Sequence, residues 1–138
     1  MKARTPHSYP LGVDLVEMKK AKSLYEDARG GLDSFFTPSE VRKIKKSRRP
    51  HEKVALYLAA KEAAFKAFGD TTEGLMPFRN IRVVEANTGR LSVEIEGGAL
   101  SWSRVNPKEL EFFIFKDRDF ILVECLKGAD ALGSSGKI

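Results

Sequence analysis

The sequence predicts a single α+β domain in which an antiparallel sheet packs around one long central helix. Three observations carry this prediction. Helical signals crowd the first half of the 138 residues, while two-residue alternation of apolar and polar side chains takes over in the second. An alanine-rich apolar run extends from Val54 to Phe68. No internal repeat, low-complexity tract or linker divides the chain, and a length of this order buries most of the unfolded surface without disulfides or a structural metal. The reading is a domain over residues 11–127, with an N-terminal extension over 1–10 and a flexible tail over 128–138.

Each element has its own signal. Leu11 to Met18 reads as a buried first strand, followed by a helix through about Arg29 with Leu24 and Tyr25 turned inward and Gly30-Gly31 ending it. Thr37-Pro38-Ser39-Glu40 is a capping box: Thr37 is the N-cap, Pro38 the first helical position, and Glu40 lies three residues after the cap. The short basic helix that follows is broken at Arg48-Arg49-Pro50, and the long helix runs from about His51 to Phe68 before Gly69. A loop to Pro77 leads to strands over 79–85 and 91–96 around the turn Asn87-Thr88-Gly89-Arg90. A short helix is expected over 97–105, and a second hairpin pairs residues 109–115 with 120–126, with Phe112, Phe113 and Phe115 as core aromatics.

Apolar content of 42% and charged content of 31% are those of an ordinary globular protein. No apolar stretch approaches the roughly 18–20 residues that span a bilayer. Residues 1–10 lack the apolar core of a secretory signal, so a cytoplasmic, membrane-free protein is expected. Cys125, the single cysteine, sits in a strand-like segment with no histidine near it in sequence and reads as an inert buried thiol. The formal net charge of +5 calls for an acidic partner. Its cations concentrate between Lys19 and Lys53, but no aromatic residues interleave with them as a single-strand nucleic-acid platform requires, so nucleic acid ranks below other acidic partners.

Two acids stand in apolar elements where a charge is costly: Asp14 in Leu11-Gly12-Val13-Asp14-Leu15-Val16, and Glu62 in the long helix. Such a pair suggests a shared cation. Glu62 and Lys66, four residues apart, share a helix face. Two carboxylates whose remaining positions are open to water and phosphate oxygens describe a magnesium site, and phosphoryl-type transfer is its natural chemistry. Spacing alone favours bland alternatives. Glu62 with Lys66 would be a solvated pair worth roughly 0.3–0.5 kcal/mol, Lys61-Glu62 a polar stripe, Asp14 an acid held by backbone N–H groups, and Lys19, Lys20 and Lys22 a solvated face.

Three segments together shift that balance. Gly12-Val13-Asp14-Leu15-Val16-Glu17-Met18, Phe36-Thr37-Pro38-Ser39-Glu40 and Leu58-Ala59-Ala60-Lys61-Glu62-Ala63-Ala64-Phe65-Lys66-Ala67-Phe68-Gly69 occur in the order and spacing of the holo-acyl-carrier-protein synthase family of 4′-phosphopantetheinyl transferases, which the chain resembles over roughly residues 11–126. The resemblance implies a 4′-phosphopantetheinyl transferase-like fold and transfer of the phosphopantetheine arm from coenzyme A to a serine of acyl carrier protein. It implies Asp14 and Glu62 as magnesium ligands, with Glu62 and Lys66 as catalytic residues. It also implies Arg48, Arg49 and Lys66 on coenzyme A phosphates, Lys19, Lys20 and Lys22 on the carrier protein, and a homotrimer with active sites between subunits. The chain departs from the family pattern at Glu111 to Lys116, which holds no histidine, and at Tyr57, where an arginine is common. These departures leave a second reading open, a non-catalytic relative that binds carrier protein or another acidic partner.

Overall fold

The computed structural model describes residues 11–27, 29–68, 78–96 and 106–128. The helix expected over 97–105, the loop over 69–77, the extension over 1–10 and nearly all of the tail lie outside these residues. The described elements are β1 (Gly12–Glu17), α1 (Met18–Glu26), α2 (Gly31–Phe35), α3 (Pro38–Lys46), α4 (Pro50–Phe68), β2 (Ile81–Glu85), β3 (Leu91–Ile95), β4 (Leu110–Lys116) and β5 (Phe120–Lys127).

The strands divide into two antiparallel sheets, one ordered β1-β5-β4 and one formed by the β2-β3 hairpin. In the larger sheet Asp14 pairs with Val123, and Val123 with Ile114. α4 runs through the middle and touches β1, β5, α1, α3 and β2. Its buried side chains, Val54, Ala55, Tyr57, Leu58, Ala59, Ala60, Lys61, Ala63, Ala64 and Phe68, occupy nearly every side of the helix, as expected of a helix enclosed by its own domain. Alanine both favours the helix and keeps its surface low, which lets the neighbouring elements approach closely. At Gly12 of β1 the approach is extreme: a Cβ there would lie 1.9 Å from the Ala63 carbonyl oxygen.

The capping box forms as the sequence predicts. Glu40 N–H donates to Thr37 Oγ1 at 3.3 Å, and Thr37 N–H donates to Glu40 Oε1 at 2.8 Å. Glu40 also does more than cap. Its Oε1 accepts from Lys61 Nζ at 2.7 Å and its Oε2 from Val83 N–H at 2.7 Å, so one carboxylate ties α3, α4 and β2 together. Lys61 has no exposed surface and Glu40 only 1%. The rings of Phe36 and Phe78 face the ammonium, with centroids 5.3 and 5.5 Å away. Burial pushes the Lys61 ammonium below the usual lysine range, and Glu40 opposes that shift.

Several expectations are corrected. The residue pair Gly30-Gly31 does not simply end a helix: α1 stops at Glu26, and Gly30, at φ +79°, is the N-cap of the additional short helix α2. β1 is not buried throughout. Gly12 and Val16 face α4, whereas Leu11, Val13 and Leu15 lie on the outer face of the sheet and are exposed. Phe115 is likewise 52% exposed rather than a core aromatic, while Phe112 does pack against the core. Lys61, read as one half of a polar stripe, is the fully buried cation of α4.

Replacing Lys61 by Met leaves the Glu40 carboxylate buried without its counter-charge. We expect a loss of about 3–5 kcal/mol in urea unfolding, the usual cost of breaking a buried pair from one side. Adding Glu40→Gln in the same chain should recover part of it, because the stranded charge is then gone.

Candidate active site

The close contact of Gly12 with α4 sets Asp14 beside the C-terminal half of that helix. The strand alternates, so Gly12, Asp14 and Val16 all turn toward α4. Lys66 Nζ reaches back across the gap and donates to Val13 O at 2.8 Å and to Asp14 Oδ1 at 3.2 Å. Glu62 lies one helical turn before Lys66, half-buried, and its proton affinity reports its surroundings. Burial raises its pKa from 4.5, the Asp14 charge raises it further, and the charges of Lys66 and Lys20 oppose the rise. Asp14, Glu62 and Lys66, all singled out from the sequence, therefore share one patch.

This patch offers hard oxygen atoms from Asp14, Glu62 and the Val13 carbonyl. Among the described residues no group of three or more His, Cys, Asp and Glu side chains is gathered closely enough to hold a metal. The donor set fits an ion that keeps most of its coordination for water and substrate oxygens, as magnesium does, and fits poorly an ion needing a full protein cage. Burial pushes the Cys125 thiol up to about 12, in keeping with its inert role.

Lys20 extends the patch, since its charge is felt at Glu62. Lys19 and Lys22 are exposed on α1 beside it. Arg48 and Arg49 are elsewhere, just before the first residue of α4. They line a cavity of about 550 Å³ together with Glu52, Lys53, Glu85 and Lys116. Within the helix, the path from Lys53 to Glu62 covers about 14 Å along the axis and about half a full rotation, given 1.5 Å and roughly 100° per residue. The α4 residues that line the cavity, Glu52, Lys53 and Leu56, lie six to ten residues before Glu62, so the arginine cavity and the carboxylate patch of one chain are separated by roughly 9–15 Å along the axis. The structure joins Asp14, Glu62 and Lys66, and it does not join Arg48 or Arg49 to them.

Sequence reasoning missed Lys53, Tyr57 and Glu85 as a group. Lys53 Nζ donates to Glu85 Oε1 at 2.7 Å, and Tyr57 Oη donates to the same oxygen at 3.0 Å. Spacing on α4 pairs Lys53 with Tyr57, but nothing in the sequence brings Glu85 of β2 to them.

Residues 10–121 match the model of the 4′-phosphopantetheinyl transferase superfamily, and the chain belongs to that superfamily. Within it, the relatives are holo-[acyl-carrier-protein] synthases. One from Clostridium tetani is 33% identical over 95 residues, spanning 69% of this chain and 75% of the relative. The crystal structure of holo-[acyl-carrier-protein] synthase from Neisseria meningitidis superposes with a TM-score of 0.67 at 26% identity, covering 86% of this chain and 98% of that one. A coenzyme A complex of the synthase from Chronobacterium ammoniagenes gives 0.64 at 26% identity over 85% and 95%.

Glu62 is expected to titrate above 4.5 in carbon-detected NMR. Asp14→Asn should lower its midpoint without returning it to 4.5, because burial is the larger cause. The sign for stability follows. A carboxyl that keeps its proton to higher pH in the folded state stabilises the fold below 4.5, and that contribution is lost as pH rises through the folded value.

Proposed function

We propose that this chain transfers the 4′-phosphopantetheine arm of coenzyme A to a serine hydroxyl of acyl carrier protein in the cytoplasm, releasing adenosine 3′,5′-bisphosphate. The observation that carries this reading is the convergence of Asp14, Glu62 and Lys66 on one patch in a chain of this superfamily. Asp14 and Glu62 would hold a magnesium ion, which, when bound, neutralises charge on the diphosphate of coenzyme A. Glu62, with its raised pKa, is suited to accept the serine proton as the serine oxygen bonds to phosphorus. The bond from that phosphorus to the bridging oxygen of the diphosphate breaks, and Lys66 is placed to donate to the departing phosphate. Arg48 and Arg49 offer fork-shaped donors to the remaining phosphates. The basic face of α1, with Lys19, Lys20 and Lys22 beside the patch, suits an acidic carrier protein.

The separation of the patch and the arginine cavity along α4 is in keeping with a homotrimer in which one copy supplies the carboxylates and its neighbour the arginines. The outer face of the larger sheet supports the same assembly. Leu15, Leu122 and Phe115 are register partners across its three strands, and Leu15 and Phe115 are 48% and 52% exposed. An apolar row of this kind on a sheet face marks an interaction surface.

The test is incubation with coenzyme A, magnesium and apo carrier proteins, followed by mass spectrometry of the carrier. Transfer is expected, and Glu62→Gln should lower its rate at least about 100-fold with the melting temperature unchanged. No transfer to any of several acidic carriers, or an active Glu62→Gln, overturns the reading.

Lys66 and a divalent ion draw on the same Asp14 oxygens. Lys66→Met is therefore expected to tighten Mn²⁺ binding measured by electron paramagnetic resonance, and Asp14→Asn to weaken it. Equal affinity in all three proteins would count against metal binding at Asp14.

A further inference from the structure

The cavity at the start of α4 has an apolar floor, formed by Leu56, Ile114 and Ile121, below a charged rim. Its four cations, Arg48, Arg49, Lys53 and Lys116, outnumber the acids Glu52 and Glu85 by two. Glu52 is shared by Lys116 and Arg49, the latter at 3.6 Å. Glu85 engages Lys53, and Arg48 has no ion pair among the described residues. An excess of two positive charges beside an apolar floor matches a phosphomonoester, which carries about −1.5 to −2 at neutral pH, on a nucleoside whose flat base can lie on that floor.

Lys53 has a distinctive place on this rim. It and Glu85 also line a second cavity of about 410 Å³, so their ion pair forms part of the wall between the two. A free lysine ammonium samples many rotamers, whereas this one is held by Glu85 at 2.7 Å and lies 5.6 Å from the centroid of the Tyr57 ring. Tyr57 is fully buried, and burial together with Glu85 pushes its phenol well above the usual range, so it stays a donor to Glu85. The ammonium has three donors and spends one on Glu85. Among the described residues no acceptor takes the other two, which leaves them for a ligand.

We propose that Lys53 is a specificity residue for the phosphomonoester of the co-substrate, and that Tyr57 and Glu85 are positioning residues that aim its ammonium into the cavity. This rests on the coenzyme A reading, because coenzyme A carries a 3′-phosphate on its ribose and dephospho-coenzyme A differs from it only there. The pair of ligands isolates the contact.

The experiment is calorimetric titration of the full chain with each ligand in the presence of magnesium. Wild type should prefer coenzyme A. Lys53→Met should bind coenzyme A about tenfold more weakly, as befits loss of one charged hydrogen bond, and bind dephospho-coenzyme A unchanged. Lys53→Arg should keep most of the preference. Tyr57→Phe should lose roughly two- to fivefold for coenzyme A alone, since Lys53 stays but is held less firmly. Equal losses for both ligands in Lys53→Met, with or without a lower melting temperature, would make Lys53 merely structural and overturn the proposal. So would an unchanged preference. Wild type that binds neither ligand overturns the coenzyme A reading itself, which separates that failure from failure of the Lys53 assignment.

Discussion

The ion pair between Glu40 and Lys61 fixes how α4 is rotated inside the domain. Glu40 is itself immobilised by the capping box of α3 and by the Val83 N–H of β2, so Lys61 must point at that junction. Neighbouring residues on a helix diverge by about 100°. With Lys61 directed at α3 and β2, Glu62 is turned away from them and toward β1, and Lys66 follows on the same face. The orientation of the carboxylate patch is thus set by a charge pair that takes no part in it. Buried pairs contribute little net stability because desolvation offsets their attraction, and selecting one arrangement among several is the role this geometry suits.

The second constraint is steric. An all-apolar helix could slide or rotate against β1, but the contact at Gly12 leaves no room for a side chain against the Ala63 carbonyl. Strand and helix therefore meet backbone to backbone, and Asp14, two residues along, falls within reach of Lys66. Small residues supply proximity here and the buried ion pair supplies direction. Both are needed before the charge of Asp14 can raise the proton affinity of Glu62, an acid so distant in sequence.

Much of this was readable in the sequence, and the exceptions have physical causes. The capping box, the basic helix, the long helix and both hairpins have local signals, and they form where those signals lie. Asp14 and Glu62 stood out because each interrupts an apolar run. Lys61 could not be separated from Glu62 by periodicity, since α4 is enclosed on nearly every side and presents no polar face to calibrate against. Glu40 carried a legible capping role that concealed its larger one, for its partners on α4 and β2 are remote in sequence. The helix α2 was hidden by Gly30-Gly31, where a glycine pair that ordinarily stops one helix instead caps the next. Leu11, Val13 and Leu15 gave an apolar strand, and sequence has no means of telling an interior face from an exterior face that a second copy would cover.

That exterior face bears directly on how the site is completed. On the proposed reading the coenzyme spans from the carboxylate patch to the arginine cavity, and in one chain these two lie apart along α4. Glu40 holds Lys61, and Gly12 meets Ala63 backbone to backbone, so α4 is fixed against its surroundings with that separation built in. In the proposed trimer, association through the sheet would disturb neither constraint. The same rigidity that holds the patch and the cavity apart within a chain would then align them between chains, and the exposed row of Leu15 and Phe115 is the part of the fold that would bear the contact.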